Sequence, residues 1–392
     1  MKRRTALKLL GAIPLLGTTG FRPRADRVVV IGGGILGTAV AYRLARRGAS
    51  ITLCEQHDLA SGASGKSGAW LNAYHSKLPE PYFRLNHLSL LAWHELESEV
   101  EGLRINWGGR IDWTPDSDVA ENLRVAIERQ QGWGYPVRFI GEEGLRARMP
   151  SFVVDQEIRA ALFADAEGTL NGEEAVGALA AAAEAQGATL RMGCEVRGIA
   201  RATAGVTGVE TSDGFIDADA VVVAAGVDTE RLSELVGVRL PLRPAPGLAA
   251  WGTSAEPLVH SVVSGPDVTL IPQPGNRYYM SRGYTGSNRG FDYSQERPTD
   301  SMAQAEEILA AARKRIGVMD AVTLDRVTVG WRPLPTDGYP VMGFPRSAPG
   351  VYPMVSHSGV TLAAILSRLA AIEILDGVSV DLLGPYRVER FA

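Results

Sequence analysis

The stretch from Arg27 to Glu55 constrains the fold of this chain more than any other part of the sequence. It reads RVVVIGGGILGTAVAYRLARRGASITLCE. A short apolar β-branched run is typical of a buried parallel strand, a G-x-G-x-x-G pattern follows it, and a helix pattern then ends at Gly48. A second strand, over residues 51–54, leads to the acid Glu55. This order predicts a βαβ unit of a Rossmann-like parallel sheet.

The glycine spacing also predicts what this unit binds. Gly32 permits a tight turn, Gly34 lets the backbone approach a pyrophosphate at the helix start, and Gly37 lets helix and strand pack closely. Glu55 stands 23 residues after Gly32 and can accept hydrogen bonds from a ribose. The motif therefore predicts a dinucleotide site, and by itself it fits either FAD or NAD.

A serine- and glycine-rich loop over residues 60–68 follows this acid and favours FAD. FAD must lay an extended chain from the ribose-binding acid toward its flavin, and small residues with hydroxyl and N–H groups suit phosphate and flavin contacts. A flexible surface loop is the alternative interpretation. We assign cofactor contacts in and around the two motifs to Ile35, Leu36, Gln56, Ser61, Ser64, Gly65, Lys66, Ser67 and Gly68.

Composition narrows the class of partner. The chain has 392 residues, a net charge of -4 and a sequence pI of about 6.0, so its overall balance offers no basic face for a nucleic acid. No apolar run is long enough to span a membrane. Its two cysteines, Cys54 and Cys194, exclude a disulfide framework and a cysteine-rich metal site. Both lie in predicted strands, and we interpret them as buried free thiols.

The first residues, MKRRTALKLLGAIPLLGTTG, have the layout of a secretory signal. A basic start is followed by a short apolar stretch and then by small residues. Arg3 and Arg4 resemble the pair of a twin-arginine export signal, although no clean cleavage site follows. We expect a signal-like segment over residues 1–25 and export to the periplasm or the outside. An amphipathic basic tail on a cytoplasmic protein is the alternative.

The middle of the chain continues the α/β pattern. Residues 81–149 are predicted to be mostly helical, with the clearest helix over 83–100, and an alanine-rich helix is predicted over 172–186. A small meander is expected over residues 205–216. A buried strand then covers residues 221–224 and ends in small residues that let the backbone approach a bound group, namely Ala225 and Gly226.

Composition shifts between residues 242 and 328. VTLIPQ and RYYMSRGYTG are typical of strands, and a helix pattern covers residues 301–316, so we predict an antiparallel sheet with a helix, inserted into the first domain. The predicted fold class is α/β, a Rossmann-like FAD-binding domain with an inserted antiparallel-sheet α+β substrate domain. We assign residues 26–85, 150–241 and 325–392 to the FAD-binding domain, and residues 86–149 and 242–324 to the substrate domain.

Two further motifs lie near the end of the chain, GWRPLPTDGYPVMG from Gly330 and GVYPMVSHSGVTLA from Gly350. In the first, Arg332 is held between a tryptophan and a proline, and a planar fork of donors on a fixed arginine matches a carboxylate. Pairing with an internal acid such as Asp337 is the alternative. The second motif predicts a strand, a turn at His357 and a helix beginning at Val360.

These motifs, in this order and together with GTLNGEEAVGALAAAAEAQGA, VVVAAGVDTERL and LPLRPAPG, resemble the D-amino-acid oxidase, glycine oxidase and sarcosine oxidase superfamily of FAD enzymes. The resemblance covers nearly all of the chain after Asp26. It implies that Arg332 anchors a substrate carboxylate above the flavin. It also implies that the turn at 357–359 faces the flavin N1 and C2 carbonyl, where His357 contacts the flavin or only fills the turn. The further cofactor contacts that we assign are Val196, Ala225, Gly226, Arg332, Ser358, Gly359, Val360 and Thr361.

The chain also departs from its relatives. Glycine oxidase-like proteins carry a tyrosine where this chain has Thr269, and we expect Tyr278 or Tyr279 on the next strand to replace it, with Tyr279 as our assignment. Sarcosine oxidase-like proteins carry a lysine near the flavin, and RYYMSRG has none at the matching strand. They also tether the flavin through a cysteine, and neither cysteine here is suitably placed, so we expect noncovalent FAD.

The resemblance implies an FAD-dependent oxidoreductase that oxidises the C–N bond of a small amine or amino acid by hydride transfer to flavin N5. Arg332 would hold the substrate carboxylate, and oxygen or a quinone would reoxidise the flavin. One alternative is a 2-hydroxy-acid dehydrogenase of the same fold, which needs a base such as His357 or His75. An NAD-dependent reductase and a noncatalytic flavin- or ligand-binding protein are the alternatives of another class.

Overall fold

The structure, a computed structural model, describes residues 25–74, 77–203, 205–243, 245–282 and 301–391. Most of the predicted export segment, His75 and the last part of the predicted strand at 277–286 lie outside these residues. The fold class predicted from the sequence is confirmed, because helices pack on a mainly parallel sheet and a second, mainly antiparallel sheet lies against it.

The described chain contains strands that alternate with helices at first and later follow one another in runs. The strands are β1 (Arg27–Ile31), β2 (Ser50–Glu55), β3 (Trp70–Leu71), β4 (Ile105–Asn106), β5 (Arg110–Thr114), β6 (Val137–Phe139), β7 (Ala160–Ala164), β8 (Gly168–Leu170), β9 (Thr189–Met192), β10 (Val196–Ala202), β11 (Gly205–Thr211), β12 (Gly214–Asp217), β13 (Ala220–Val223), β14 (Leu242–Arg243), β15 (Pro246–Thr253), β16 (Val262–Ser264), β17 (Val268–Gln273), β18 (Arg277–Arg282), β19 (Thr323–Trp331), β20 (Leu334–Pro335), β21 (Val341–Met342) and β22 (Val351–Val355).

The predicted helices over residues 83–100, 172–186 and 301–316 are present with small shifts at their ends. The α-helices are α1 (Ile35–Arg46), α2 (Glu80–Glu99), α3 (Ser117–Gly132), α4 (Gly141–Arg148), α5 (Gly172–Ala185), α6 (Thr229–Glu234), α7 (Met302–Arg315) and α8 (Gly359–Asp376). Short 3-10 helices cover Gly226–Asp228, Gly317–Ala321, Asp381–Tyr386 and Val388–Phe391. Among the described residues, no helix is both long and apolar enough to cross a membrane.

The first sheet has the strand order β21-β22-β13-β1-β2-β9. All neighbours are parallel except β21, which is an antiparallel edge strand. Val28 and Val30 pack in the apolar cluster that includes α1, α5 and α8, whereas Val29 and Ile31 pack in a second cluster on the other face. Successive side chains of a strand leave opposite faces, so burial on both faces explains why residues 28–31 of β1 are all apolar.

The second sheet has eight strands in the order β19-β15-β18-β17-β16-β5-β7-β6. Its neighbours are antiparallel except for β16 and β5. The sheet includes β7, which the sequence-based boundaries assign to the FAD-binding domain, and the start of β19 straddles the predicted boundary at residue 325. Helix α7 packs against β15, β17, β18 and β19.

Residues 81–149 are mostly helical, as predicted, but three strands that the sequence did not indicate lie among the helices, namely β4, β5 and β6. Strand β5, with the sequence RIDWT, is the important one because it joins the two halves of the second sheet. All five of its residues are buried, including Arg110 and Asp112, which form an ion pair. A half-exposed strand shows alternating apolar and polar residues, and a strand that is buried on both faces does not. The charged residues of β5 also made this segment look polar in the sequence.

Candidate active site

A large cavity of about 570 Å³ opens at the carboxyl ends of the parallel strands. Its floor is the first sheet with the starts of α1 and α8, and its roof is the second sheet. Residues at or next to the ends of the parallel strands line the floor, namely Ile31, Cys54, Ala224 and Val355. Ligands of open α/β sheets bind at this position, so the fold itself indicates a functional site.

The turn between β1 and α1 leaves no room for side chains. Gly32 has a φ of +109°, and a Cβ atom there would lie 2.5 Å from the Ala224 carbonyl oxygen. A Cβ atom on Gly37 would lie 1.9 Å from the Gly32 carbonyl oxygen. Helix α1 therefore begins directly at the cavity, where the backbone N–H of Ile35 donates to Ser64 Oγ at 3.0 Å. Such a helix start favours a phosphate.

Glu55 lies beside this turn, and the backbone fixes its carboxylate. One oxygen accepts from the Gly33 N–H at 2.7 Å, and the other accepts from the His57 N–H at 2.8 Å. A carboxylate oxygen can accept a second hydrogen bond. Because Glu55 also lines the cavity, its remaining lone pairs are placed to bind ribose hydroxyls.

Both cysteines line the cavity on the same side as Glu55, and both are buried free thiols, as predicted. Burial, and secondly the neighbouring Cys194 thiol, raise the pKa of Cys54 to about 12. The Cys54 thiol therefore stays protonated, which makes it a poor nucleophile. We call this part of the cavity, around Gly32, Ser64 and Glu55, the nucleotide end.

The loop over residues 60–68 packs against both sheets. The Ala60 N–H donates to the Gly33 carbonyl at 3.0 Å on the floor. At the other end of the loop, a Cβ atom on Gly68 would lie 2.5 Å from the Ile271 side chain of the roof. The loop therefore carries the cavity wall from the nucleotide end to the second sheet.

Helix α8 begins at the opposite end of the cavity, which we call the far end. Its first residues, Gly359, Val360 and Thr361, line the cavity together with Ser358. Helix α2 fixes this start, because Trp93 Nε1 donates to the Thr361 carbonyl at 2.9 Å. The Thr361 hydroxyl donates to the Trp70 carbonyl at 2.9 Å. The first backbone N–H groups of an 18-residue helix therefore face the cavity, and this end of the helix is the positive end of its dipole.

Arg332 follows β19 in the roof of the far end, and the backbone holds its guanidinium. Nη2 donates to the Pro246 carbonyl at 2.9 Å, and Nε donates to the Ala245 carbonyl at 3.3 Å. A Cβ atom on Gly247 would lie 2.8 Å from Nη2, so the guanidinium lies flat against β15. Asp337, the alternative partner suggested by the sequence, pairs instead with Arg390 at 2.6 Å.

His357 is surrounded by protein at the far end, but its side chain is exposed to the cavity, which it lines. Burial, and secondly the positive charges of Arg332, Lys77 and Arg243, lower the pKa of its imidazole to about 3. The imidazole is therefore neutral at physiological pH. It can offer a hydrogen bond to a bound group, but it is a weak proton acceptor.

A buried acid lies behind the wall of the far end. Glu167 accepts from Trp70 Nε1 at 2.9 Å, from the Tyr74 N–H at 3.2 Å and from the Tyr135 hydroxyl at 3.1 Å. Burial raises the pKa of Glu167 to about 7, although Arg110 and these donors oppose the rise. Glu167 does not line the cavity. It accepts a hydrogen bond from Trp70, and Trp70 lines the cavity.

The residues present fit FAD. A dinucleotide needs an anion site and a ribose acceptor close together, and the start of α1 and Glu55 supply them. It then needs a flat slot with hydrogen-bond donors at a distance, and the cavity continues to the start of α8 below Ile271 and Tyr279. Gly32 and Gly68 leave the backbone bare where it packs closely, against Ala224 in the floor and against Ile271 in the roof.

Most of the predicted site residues come together in this cavity. Of the two candidate tyrosines, Tyr279 lines it, whereas the Tyr278 hydroxyl accepts from the Leu258 N–H at 2.8 Å outside it. Gly37 and Gly65 do not line the cavity, and they serve close backbone packing instead. The predicted residues that line it are Gly32, Gly34, Ile35, Leu36, Glu55, Gln56, Ser61, Ser64, Lys66, Ser67, Gly68, Val196, Ala225, Gly226, Tyr279, Arg332, His357, Ser358, Gly359, Val360 and Thr361.

Sequence reasoning missed several residues that line the cavity. Among them are Trp70, Asn72, Lys77, Gly247 and Ile271. The motif LPLRPAPG, which ends at Gly247, was a signal for the bare backbone below Arg332. No local pattern marks Lys77, because its contact at Ser358 lies 281 residues away.

Comparison with known proteins gives one matching family. The family described as "DAO: FAD dependent oxidoreductase" matches residues 27–371 of this chain. A glycine oxidase of Geobacillus kaustophilus is 26% identical over 353 residues, which cover 88% of this chain and 91% of that protein. An opine oxidase polypeptide of Agrobacterium tumefaciens is 26% identical over 386 residues, which cover 93% of this chain and 97% of that protein.

A solved structure agrees with this match. The crystal structure of glycine oxidase from Geobacillus kaustophilus superposes with a TM-score of 0.80 at 24% sequence identity. The superposition covers 93% of this chain and 98% of the other. At this identity the likeness shows the shared fold.

Proposed function

Because this chain belongs to the DAO family of FAD-dependent oxidoreductases, we propose that it oxidises the C–N bond of a small amine or amino acid whose carboxylate is held by Arg332. The chain is an FAD-dependent amine or amino-acid oxidoreductase, and FAD is its cofactor. The identity of the substrate and the role of Arg332 are the proposed part.

The position of Arg332 carries the proposal. Its guanidinium lines the cavity, and the Ala245 and Pro246 carbonyls hold it in one orientation. A guanidinium that is already fixed loses little entropy when it binds a carboxylate, and its planar fork matches two carboxylate oxygens. A substrate carboxylate at Arg332 places the rest of the substrate between the roof and the floor of the far end.

FAD, when bound, supplies the acceptor for the hydride that leaves the carbon next to the nitrogen. The residues of the chain bind the substrate and orient it. Arg332 fixes the carboxylate, the ring of Tyr279 and the side chain of Ile271 form an apolar ceiling, and the folded loop at 60–68 closes the side wall. Orientation of this kind supplies much of an enzyme's rate acceleration.

The far end suits an amine better than a 2-hydroxy acid. A hydroxy acid must lose its hydroxyl proton to a base, whereas a neutral amine already carries a lone pair. His357 is a weak base there, because burial and three neighbouring cations lower its pKa to about 3. The other histidine considered as a base, His75, lies outside the described residues.

Anaerobic mixing with a panel of compounds tests the proposal. The panel contains glycine, N-alkyl and N-carboxyalkyl amino acids, D- and L-amino acids and 2-hydroxy acids, and the measured signal is loss of the yellow flavin absorbance. We expect bleaching by at least one amino compound that carries a carboxylate. Bleaching by 2-hydroxy acids alone would overturn the proposal, and no bleaching by any compound would favour a noncatalytic binding protein. Oxygen and a soluble quinone, added to the bleached enzyme, would then identify the acceptor.

Export remains a proposal that rests on the sequence alone. Arg3 and Arg4 precede a short apolar stretch, as in a twin-arginine signal, which carries folded proteins and so suits an enzyme that binds FAD first. Replacing both arginines with lysine should keep the protein in the cytoplasm. An unchanged distribution between cell fractions would contradict this proposal.

A further inference from the structure

Lys77 is a buried cation that faces the cavity at its far end. Its side chain is almost fully buried, with 7% of the residue exposed, and it lines the cavity. Nζ donates to Ser358 Oγ at 2.7 Å and lies 5.6 Å from the centre of the Tyr82 ring. The Tyr82 hydroxyl donates to the same Ser358 oxygen at 3.0 Å. The position of the ammonium group is therefore fixed from two sides.

No carboxylate of the described residues forms an ion pair with Lys77, although Glu167 lies near enough for Lys77 to lower its pKa. Its hydrogen bond within the described part of the chain goes to the neutral hydroxyl of Ser358. A buried ammonium group is unfavourable unless an anion accompanies it, and an ammonium group can donate three hydrogen bonds. The protein therefore holds a positive charge that a group bound in the cavity is placed to balance.

The start of α8 adds to this charge. Ser358 is the residue before the helix, and Gly359, Val360 and Thr361 follow it along the cavity wall. The first backbone hydrogen bond within this helix runs from Leu362 to Ser358, so the N–H groups before Leu362 have no acceptor in the helix. Lys77 and the helix start thus form one positive wall.

The position of the FAD decides which part of it meets this wall. Glu55 and the start of α1 mark the adenosine and pyrophosphate at the nucleotide end, so the isoalloxazine of an extended FAD reaches the far end. The benzene edge of an isoalloxazine has no hydrogen-bond acceptors, whereas its pyrimidine edge has two carbonyl oxygens. The pyrimidine edge is also where negative charge collects when the ring is reduced. Donors and positive charge therefore match that edge.

We propose that the ammonium group of Lys77 stabilises negative charge on the pyrimidine edge of the flavin and so raises the reduction potential of the flavin. Ser358 and Tyr82 hold the ammonium group in place. The proposal rests on FAD as the cofactor and not on the substrate assigned to Arg332, so either can fail without the other. Its observable consequence is a property of the bound flavin before any substrate is added.

Variants at Lys77 with sulfite as a probe test this inference. Sulfite adds its electron pair to the oxidised ring and leaves negative charge on the pyrimidine edge, so its affinity reports on that charge. The enzyme with bound FAD is compared with Lys77→Met, which removes the charge, Lys77→Gln, which keeps a donor for Ser358, and Lys77→Arg, which keeps the charge. The control is Lys314→Met, which removes an exposed lysine of α7 that does not line the cavity.

We expect Lys77→Met and Lys77→Gln to weaken sulfite binding about tenfold, and to lower the two-electron reduction potential by the matching 30 mV or so. Lys77→Arg should recover part of both effects, and Lys314→Met should change neither. If Lys77→Met does not fold, Lys77→Gln gives the same comparison, because it removes the charge and keeps the polarity. Flavin fluorescence titration checks that each variant binds FAD.

Three results would overturn the proposal. Unchanged sulfite affinity and potential in both neutral variants would show that Lys77 does not act on the flavin. Unchanged flavin properties together with weaker binding of carboxylate compounds would assign Lys77 to the substrate instead. An equal loss in Lys77→Gln and Lys77→Arg would show that packing, and not charge, is the cause.

Discussion

The two ends of the cavity recognise their ligand in different ways. At the nucleotide end, the ligand is recognised by backbone N–H groups, glycines and one acid. These groups lie close together in the chain, between Gly32 and Gly68. At the far end, side chains converge from four distant places, namely Lys77, Tyr279, Arg332 and His357. The nucleotide end is a local structure that one βαβ unit carries, whereas the far end exists only when both sheets are in place.

The largest effect is expected from Gly37→Ala at the nucleotide end. Its new Cβ atom would lie 1.9 Å from the Gly32 carbonyl oxygen, and neither backbone segment can move without shifting β1 or α1. We expect at least a hundredfold loss of FAD affinity or loss of soluble protein, beyond the usual 1–3 kcal/mol or so of overpacking. The flavin content of the purified protein, measured by absorbance, is the readout.

Gly177→Ala is the matched control for this prediction. Gly177 lies within α5, and a Cβ atom there has no neighbour within 4 Å. Alanine in a helix interior is more favourable than glycine by roughly 1 kcal/mol, so the control should be slightly more stable with normal FAD content. Normal FAD binding by Gly37→Ala would show that the nucleotide end is less rigid than its packing indicates.

This contrast explains why the nucleotide end could be predicted. The strand, the glycines, the helix and Glu55 occupy 29 consecutive residues, and each position has a steric or hydrogen-bonding reason that a sequence shows directly. In the loop that follows, one role differed from the prediction, because Gly65 packs against the backbone and against Glu173 instead of lining the cavity. The parallel strands β13 and β22 were equally clear, since burial on both faces leaves apolar runs.

The next largest effect is expected from Arg332→Ala at the far end. The variant should keep its FAD, because Arg332 lies in the roof and the nucleotide end does not depend on it. Binding of a carboxylate substrate should weaken by about 2 kcal/mol, or roughly thirtyfold, which is typical of a lost hydrogen bond to a charged group. The dissociation constant from anaerobic titration is the measurement.

Asp337→Asn is the matched control for Arg332→Ala. Asp337 is the acid that the sequence offered as a partner of Arg332, and in the structure it pairs with Arg390. We expect its removal to leave substrate affinity unchanged. An equal loss in both variants, or no loss in Arg332→Ala, would contradict the assignment of the carboxylate to Arg332.

The rest of the far end could not be predicted because its residues are functional only through distant partners. Lys77 is one lysine of a polar loop until Ser358 and Tyr82 fix it. Ile271 and Tyr279 face the cavity because β17 and β18 pair in one register, in which these two residues are opposite each other. Only the resemblance to a family, through Arg332 and the turn before α8, pointed to this end from the sequence.

Two buried glutamates continue the comparison with a smaller expected effect. Glu55 accepts backbone N–H groups at the nucleotide end, whereas Glu167 sits behind the far end with a pKa raised to about 7 by burial. The folded protein holds the Glu167 proton more tightly than the unfolded chain does. Stability from this group is therefore fully present below about pH 4.5 and is lost as pH rises to about 7.

A glutamine side chain does not titrate, so the variant Glu167→Gln does not show this loss of stability with rising pH. Relative to the variant, the wild-type protein should lose about 2 kcal/mol of unfolding free energy between about pH 5 and about pH 8. Urea unfolding at the two pH values, with the same FAD concentration, measures the difference. A constant difference between the two proteins would show that Glu167 is already ionised at the lower pH.

The smallest effect is expected from His357→Asn, and it is the variant that decides between an amine and a hydroxy acid. Burial and the charges of Arg332, Lys77 and Arg243 lower the pKa of His357 to about 3, so its charge does not change in the working range of the enzyme. The profile of kcat/KM against pH between about pH 6 and about pH 9 should therefore keep its shape in the variant, with a small change in height.

If His357 were the base for a hydroxyl proton, the variant would lose on the order of a hundredfold in rate, and the acidic limb of the profile would disappear. That outcome would make the far end a site built around a proton acceptor. The expected one leaves it a site that orients its substrate with fixed charges and takes no proton from it.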